Sequence, residues 1–490
     1  MIRRIGPTQP RKLRLVALSA LSALSALSAI LFFAAGAATA DIGDLDLQAN
    51  VFTTGQQGDP TVVIRPDNRI VVGWRSDNQD GSFGGIYLRA FDEDGAAQTG
   101  EILANVTTNG DQKRPYIALD GTGNLVAIWQ FEAFGNNFGR VFDKDLIPTT
   151  DEFIISQMVP VKALERTPTL AVFEDGDFIV AWGGTSTEVQ RMNADGTKLG
   201  KSIFPNLDNN FDTLEAVGGS AFVNDDKDFL VVGHAGGVDS GDVDAVYLRP
   251  FDWDGNALAT GKRISVEDER DESLPYITAN ASGHFLIVWQ SRRPDNDFDV
   301  IGRLFTSFDD PVGEPFVANH LPRDGNTRPV AKLFDDGQFI VIWAGIREGG
   351  HSDEDDIYLR RFDKNGNPTT GDIIVNHFQN GRQDSPAVSA NEDGQFAVVW
   401  LSTGDQDGDE SGIFFQFDNI ATLPPGDDDL TDDDDDDDTE DEDDDEDDDT
   451  DDVDDDAPSI PPGEDDEDDP ETITSSDGLS QDEDDDFCCG

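Results

Sequence analysis

Downstream of an apolar N-terminal stretch, hydrophobic and polar positions fall into short apolar blocks separated by Gly, Asp and Asn, and no amphipathic helical period of useful length appears. The blocks recur. Pro60, Pro115, Pro168, Pro275, Pro329 and Pro386 are each followed fourteen residues later by Trp74, Trp129, Trp182, Trp289, Trp343 and Trp400. A degenerate copy lies between the third and fourth of these, where Phe229-Leu-Val-Val-Gly233 takes the place of Phe178-Ile-Val-Ala-Trp182. The Trp-equivalent positions 74, 129, 182, 233, 289, 343 and 400 are 51 to 57 residues apart, so the chain carries seven repeats of one supersecondary unit.

Each unit reads as four short strands. In the sixth, Pro329 to Phe334 is the first strand, Asp336-Gly337 a turn tolerating positive φ, and Gln338 to Trp343 an apolar second strand. Ile357 to Phe362 is the third, Asp363-Lys-Asn-Gly366 a turn, and Ile373 to Val375 the fourth. This predicts an all-β, seven-bladed β-propeller. The seventh unit ends near Phe417 without a fourth strand. Asn50 stands ten residues before Pro60, as Asn105 stands before Pro115 and Asn376 before Pro386, so Leu45 to Val51 is expected to supply that strand from the N-terminus and close the ring.

One Trp per blade at a fixed place in an apolar strand is what inter-blade packing needs, and these are read as core. Arg89, Arg140, Arg191, Arg249, Arg303 and Arg360 recur in the third strands and are expected to pair with carboxylates between blades. Asp393-Gly-Gln-Phe-Ala-Val-Val-Trp400 and Ile357-Tyr-Leu-Arg-Arg-Phe-Asp363, with their counterparts over residues 45 to 420, resemble the tandem propeller repeats of large secreted bacterial proteins. The resemblance implies the fold and says little of activity, since such propellers serve as binding, adhesion and surface modules and sometimes as enzymes.

Charge changes the picture at both ends. Arg3, Arg4, Arg11, Lys12 and Arg14 precede an apolar stretch from Leu15 to Ala35 and a small-residue site at Ala38-Thr39-Ala40, so residues 1–40 read as an export signal, with an uncleaved anchor as the alternative. Residues 427–490 hold 38 acidic and no basic residues and are expected to be a disordered Asp/Glu-rich tail ending in Cys488-Cys489-Gly490. Those adjacent cysteines are the only two in the chain, and an anchor, a cross-link or a truncation all fit them. The intervening 41–426 carry 64 acidic against 29 basic residues, −35 of the total −68. Such a surface disfavours nucleic acid and favours cations or basic surfaces.

Candidate chemistry lies in the acidic loops between second and third strands. Asp295, Asp297 and Asp299, and Asp405, Asp407 and Asp409, place carboxylates at alternate positions, the pattern from which a loop gathers oxygens around calcium. His234, His284, His320, His351 and His377 show no ligand spacing, and the chain has no Gly-x-Ser-x-Gly elbow or phosphate loop. The expectation is a secreted or surface-associated, non-enzymatic binding or adhesion propeller, supported by calcium, with an extracellular glycan, protein or surface as partner and divalent cations on the tail. Membrane contact is expected only through the signal segment or a C-terminal anchor. The alternative is a carbohydrate-active propeller enzyme using a pair of carboxylates.

Overall fold

A computed structural model describes residues 45–423 except 132–135, 157–167, 184–186, 206–213, 223, 236–243, 267–269, 294–296, 321–324 and 348–353. The export signal, the acidic tail with its cysteines, and Asp295 lie outside the described residues. Among those described there is no helix, and 28 strands form seven four-stranded sheets.

The innermost strands are Gln57–Ile64, Gln112–Leu119, Thr169–Val172, Leu214–Phe222, Glu272–Ala279, Thr327–Leu333 and Gln383–Ala390. Each touches the next in order and the seventh touches the first, which makes a closed seven-bladed propeller around a central channel. The seventh sheet takes its outer strand from the other end of the chain. Leu47–Gln48 pairs antiparallel with Gly412–Asn419, Leu47 opposite Phe415 and Gln48 opposite Phe414. Asn50 then accepts the Ile413 N–H on its side-chain oxygen at 2.8 Å. Asn105, Asn319 and Asn376 do the same for Ile86, Val300 and Ile357, at 2.7 to 2.8 Å. In the seventh, first and sixth blades the two-residue outer strand is too short to satisfy the third strand and this buried asparagine completes the ladder; in the fifth, Asn319 does so just past the longer outer strand Asp310–Val317.

Seven apolar clusters fill the seven interfaces between blades. The repeated tryptophans are their centres, each at most 1 % exposed. Trp74 packs between the seventh and first blades, Trp129 between the first and second, and so on around the ring. Gly233 leaves the interface of the third and fourth blades without its indole. A different aromatic set stands there: Trp253, from a turn of the fourth blade, lies 6.1 Å from Phe222, which lies 5.3 Å from Phe173 of the third. Lys227 sits over Phe173 at 5.2 Å and Trp253 at 4.9 Å and reaches Asp175 and Asp177 of the neighbouring blade at 2.6 and 2.5 Å.

Five of the six third-strand arginines take a backbone carbonyl of the neighbouring blade where a carboxylate was expected. Arg89, Arg140, Arg249, Arg303 and Arg360 each donate from Nη1 to a backbone carbonyl where the preceding blade's outer strand ends: Ala49, Ala104, Pro205, Ile264 and Ala318, at 2.7 to 3.2 Å. Each guanidinium also lies 5.2 to 5.8 Å from the ring of the phenylalanine two residues on. The carbonyl wins because the outer strand stops there and leaves an acceptor that no ladder partner takes. Arg360 has a carboxylate in range as well, Asp372 at 4.0 Å. Arg191 departs from the set: it donates forward to the Trp253 carbonyl and lies 3.7 Å from Asp254 of the fourth blade, the inter-blade carboxylate the sequence led one to expect.

Candidate active site at the channel mouth

Five blades share an unusual backbone feature where the inner strand reaches the channel mouth. Asp59, Arg114, Leu274, Arg328 and Ser385 have φ between 50° and 54°, and each immediately precedes the repeat's proline. All five coincide with a one-residue slip in strand pairing. Gly58 faces Arg75 while Thr61 faces Gly73, and the same step separates Lys113 from Tyr116, Ser273 from Tyr276, Thr327 from Val330 and Asp384 from Ala387. The proline belongs there because the innermost strand is an edge and its missing N–H leaves no ladder bond unmade. The bulge is why these strands begin before the proline rather than at it, as in Thr327–Leu333. A non-glycine residue in the left-handed region costs about 1–3 kcal/mol.

The bulged residues ring a cavity of about 790 Å³ at the head of the channel. Side chains that build the propeller are constant from repeat to repeat, whereas these five are acidic, basic, apolar, basic and hydroxylic. Arg114 donates its N–H to Asp59 Oδ2 at 2.9 Å and its guanidinium to Gln130 Oε1 at 3.1 Å. Arg328 bonds Asp384 Oδ2 at 2.6 Å and Ser385 Oγ at 2.7 Å.

Tyr116 and Tyr276, each next after the proline, also line the cavity, and their phenols approach one another closely enough to interact. They belong to the second and fifth blades, which are not neighbours, so this contact bridges the lumen. Burial pushes Tyr276 well above the usual phenol value, helped by the Tyr116 phenol, and pushes Tyr116 up less because its contact with Tyr276 acts the other way. Both stay protonated at neutral pH. Below them the cavity continues between apolar side chains such as Ile64, Leu119 and Val388.

The fourth blade adds an imidazole. His234 follows Gly233, lines the cavity and is 7 % exposed; its Nδ1 has no hydrogen-bond partner among the described residues. Burial lowers its pKa from 6.5 to about 4, so the ring is neutral at physiological pH.

The loop carboxylates singled out in the sequence do not converge on one another. Asp297 accepts the Gly325 N–H at 2.9 Å and faces Arg293 at 3.0 Å; Asp299 lies 3.4 Å from Arg293 and 3.6 Å from Arg270. Asp407 accepts from the Asn50 side chain at 3.1 Å and Asp409 from the Gly55 N–H at 3.2 Å, holding the last blade to the N-terminal segment, while Asp405 occupies a turn with φ 58°. Among the described residues no three His, Cys, Asp or Glu side chains are grouped to hold a metal ion. Nor does the cavity offer a facing carboxylate pair: Asp59 is the one carboxylate among its described lining residues. The mouth residues were not singled out in the sequence. Two signals pointed to them: the variable position before each proline, and the repeat at Gly233-His234 that breaks the pattern.

No family model matches the chain, and no curated protein does. Solved structures do. A protein of unknown function from Dyadobacter fermentans is similar at TM-score 0.47 and 11 % identity, covering 76 % of this chain and 97 % of its own. An ulvan lyase, a polysaccharide lyase solved with a glucuronate-rhamnose sulfate ligand, is similar at TM-score 0.46 and 10 % identity, covering 77 % and 97 %. An α-L-arabinanase from Penicillium chrysogenum, solved with arabinobiose, is similar at 0.43 and 11 %, covering 77 % and 98 %. At these identities the likeness is one of fold. It nevertheless corrects the expectation of a non-enzymatic binding or adhesion module: propellers of this shape include carbohydrate-active enzymes, so the repeat architecture is no ground for reading the chain as non-catalytic.

Proposed function

We propose that this chain is an exported, carbohydrate-active β-propeller whose active site is the mouth of its central channel. The observation that carries the proposal is the ring of bulges. Strain of about 1–3 kcal/mol per residue, repeated at five equivalent places, brings five side chains of four chemical kinds to one cavity. The cavity lies within the range of about 300–1,000 Å³ that suits a small ligand or short oligomer. Its phenols, guanidiniums, hydroxyl and imidazole supply the dense hydrogen bonding that a sugar needs. The resemblance to repeats of large secreted bacterial proteins and the export signal in residues 1–40 accord with a polymer met outside the cytoplasm.

The test is product formation. The purified chain is incubated with neutral and acidic polysaccharides and new reducing ends are measured. Release from at least one polymer, lost when Arg114 and Arg328 are both replaced by Ala in a protein that still melts cooperatively, supports the reading. No release from any polymer, with no thermal shift on adding short oligosaccharides, counts against it.

A further inference from the structure

Resting on that reading, we infer that the mouth cleaves a uronate-containing polysaccharide by β-elimination, with His234 as the base and the Tyr116–Tyr276 phenol pair as the acid. Three observations converge. First, hydrolysis of a glycosidic bond ordinarily takes two carboxylates on opposite sides of it, and the described lining of the cavity holds Asp59 alone. Second, the groups present are those an elimination uses. His234 is nine-tenths buried on the cavity wall with an unpartnered Nδ1, and the bridging phenols stand at the same mouth. Third, Arg114 on the second blade and Arg328 on the sixth flank the mouth from nearly opposite sides. A guanidinium against the uronate carboxylate draws charge from the carbon beside it and makes that carbon's proton removable.

The step balances with no co-reactant. The His234 nitrogen takes the proton on the carbon α to the carboxylate. The electron pair of that C–H bond becomes a double bond to the β carbon, the glycosidic bond at the β carbon breaks, and its electron pair leaves with the bridging oxygen. A phenol of the tyrosine pair gives that oxygen a proton, and the imidazolium returns a proton to the phenolate through water. Burial sets the protonation states from which the step starts, the imidazole without its proton and the phenols with theirs.

The fourth blade explains why the imidazole is there. Six repeats place an indole at the Trp position, and this one has Gly233 followed by His234. Local rules of a fold are broken where function demands it.

The experiment follows two readouts together on polygalacturonate, on alginate and on their carboxyl-reduced forms: new reducing ends, and ultraviolet absorbance from a carbon–carbon double bond conjugated to a carboxylate. Absorbance rising in step with reducing ends, from the uronate forms only, is the expected result. Reducing ends without absorbance overturn the elimination and leave the carbohydrate activity standing. No product in either channel takes the proposed function down and this inference with it. His234→Gln and Tyr276→Phe are each expected to slow the reaction at least 100-fold with melting curves close to the parent's. If either variant folds and keeps the parent rate, the role assigned to that residue is wrong. Should His234→Gln fail to fold, Tyr276→Phe, which keeps the ring and removes only the hydroxyl, decides.

Discussion

Arg89 donates from Nη1 to the carbonyl of Ala49 at 2.8 Å, tying the third strand of the first blade to the strand that the N-terminus lends to the seventh. The same bond recurs four times around the ring, but only here is the outer strand it reaches paired with the other end of the chain, through Leu47 opposite Phe415. Deleting residues 45–50 should therefore destabilise more than losing one strand suggests, because the Arg89 bond, worth roughly 2 kcal/mol as a charge-assisted bond, goes with it. Arg89→Met alone should lower the unfolding free energy by about that amount in urea titrations. An unchanged midpoint in both variants would remove the seam from the account of closure.

The interface lacking its tryptophan should depend on its replacement. Lys227→Met keeps most of the side-chain volume while removing the ion pairs to Asp175 and Asp177 and the charge over Trp253 and Phe173. We expect a loss of about 1–2 kcal/mol, shared between the aromatic contacts and the half-buried pair to Asp177, since Asp175 is exposed and its pair screened. High salt should leave most of the effect in place. A loss that vanishes in salt would assign it to the carboxylates alone.

Strain in the ring can be relieved without touching polar chemistry at Leu274, which has φ 50° and is 45 % exposed. Leu274→Gly should leave stability unchanged or raise it by up to about 1 kcal/mol, since glycine adopts that conformation freely but is looser unfolded. Ala at the same place should do neither. A large loss with Gly would show that the leucine side chain, not the backbone, is what the position needs.

His234 predicts an acid limb in stability. Its pKa is near 6.5 unfolded and about 4 folded, so between those values the unfolded chain binds more protons and stability rises with pH. The contribution is complete above about pH 6.5 and is lost as pH falls toward 4, with an upper bound of about 3 kcal/mol. Asp59, Arg114, Arg328 and the two phenols line the same cavity as this imidazole. His234→Gln should flatten the limb in melts followed from pH 7 to 4. An unchanged slope would place its origin in the carboxylates.

Asp297 and Asp299 test the calcium expectation directly. Both face Arg293, so replacing them together with Asn should lower the melting temperature by the same amount in chelator and in calcium. A loss seen only with calcium present would assign the loop to the ion.

The seven units, their four strands and the buried tryptophans were legible in the sequence, because apolar alternation, Asp-Gly turns and the Pro-to-Trp spacing are local signals that each blade repeats. The arginines were legible as a repeat but not in their partners. A carbonyl left open where an outer strand ends has no sequence signature, and a carboxylate was the natural expectation for a cation in so acidic a chain. The loop aspartates were legible as alternation, yet side chains two residues apart turn toward whatever cation or N–H the fold brings near, here Arg293, Asn50 and Gly55.

By itself the sequence determined a propeller of seven blades and which of them breaks the pattern. Only the tertiary structure decided where the chemistry stands. The residue before each proline looks like part of a strand until a bulge turns it, and a phenol of the second blade meets one of the fifth only once the ring is closed. Strands read locally, whereas a site at the axis is made from side chains about fifty residues apart or more, which nothing but closure brings together.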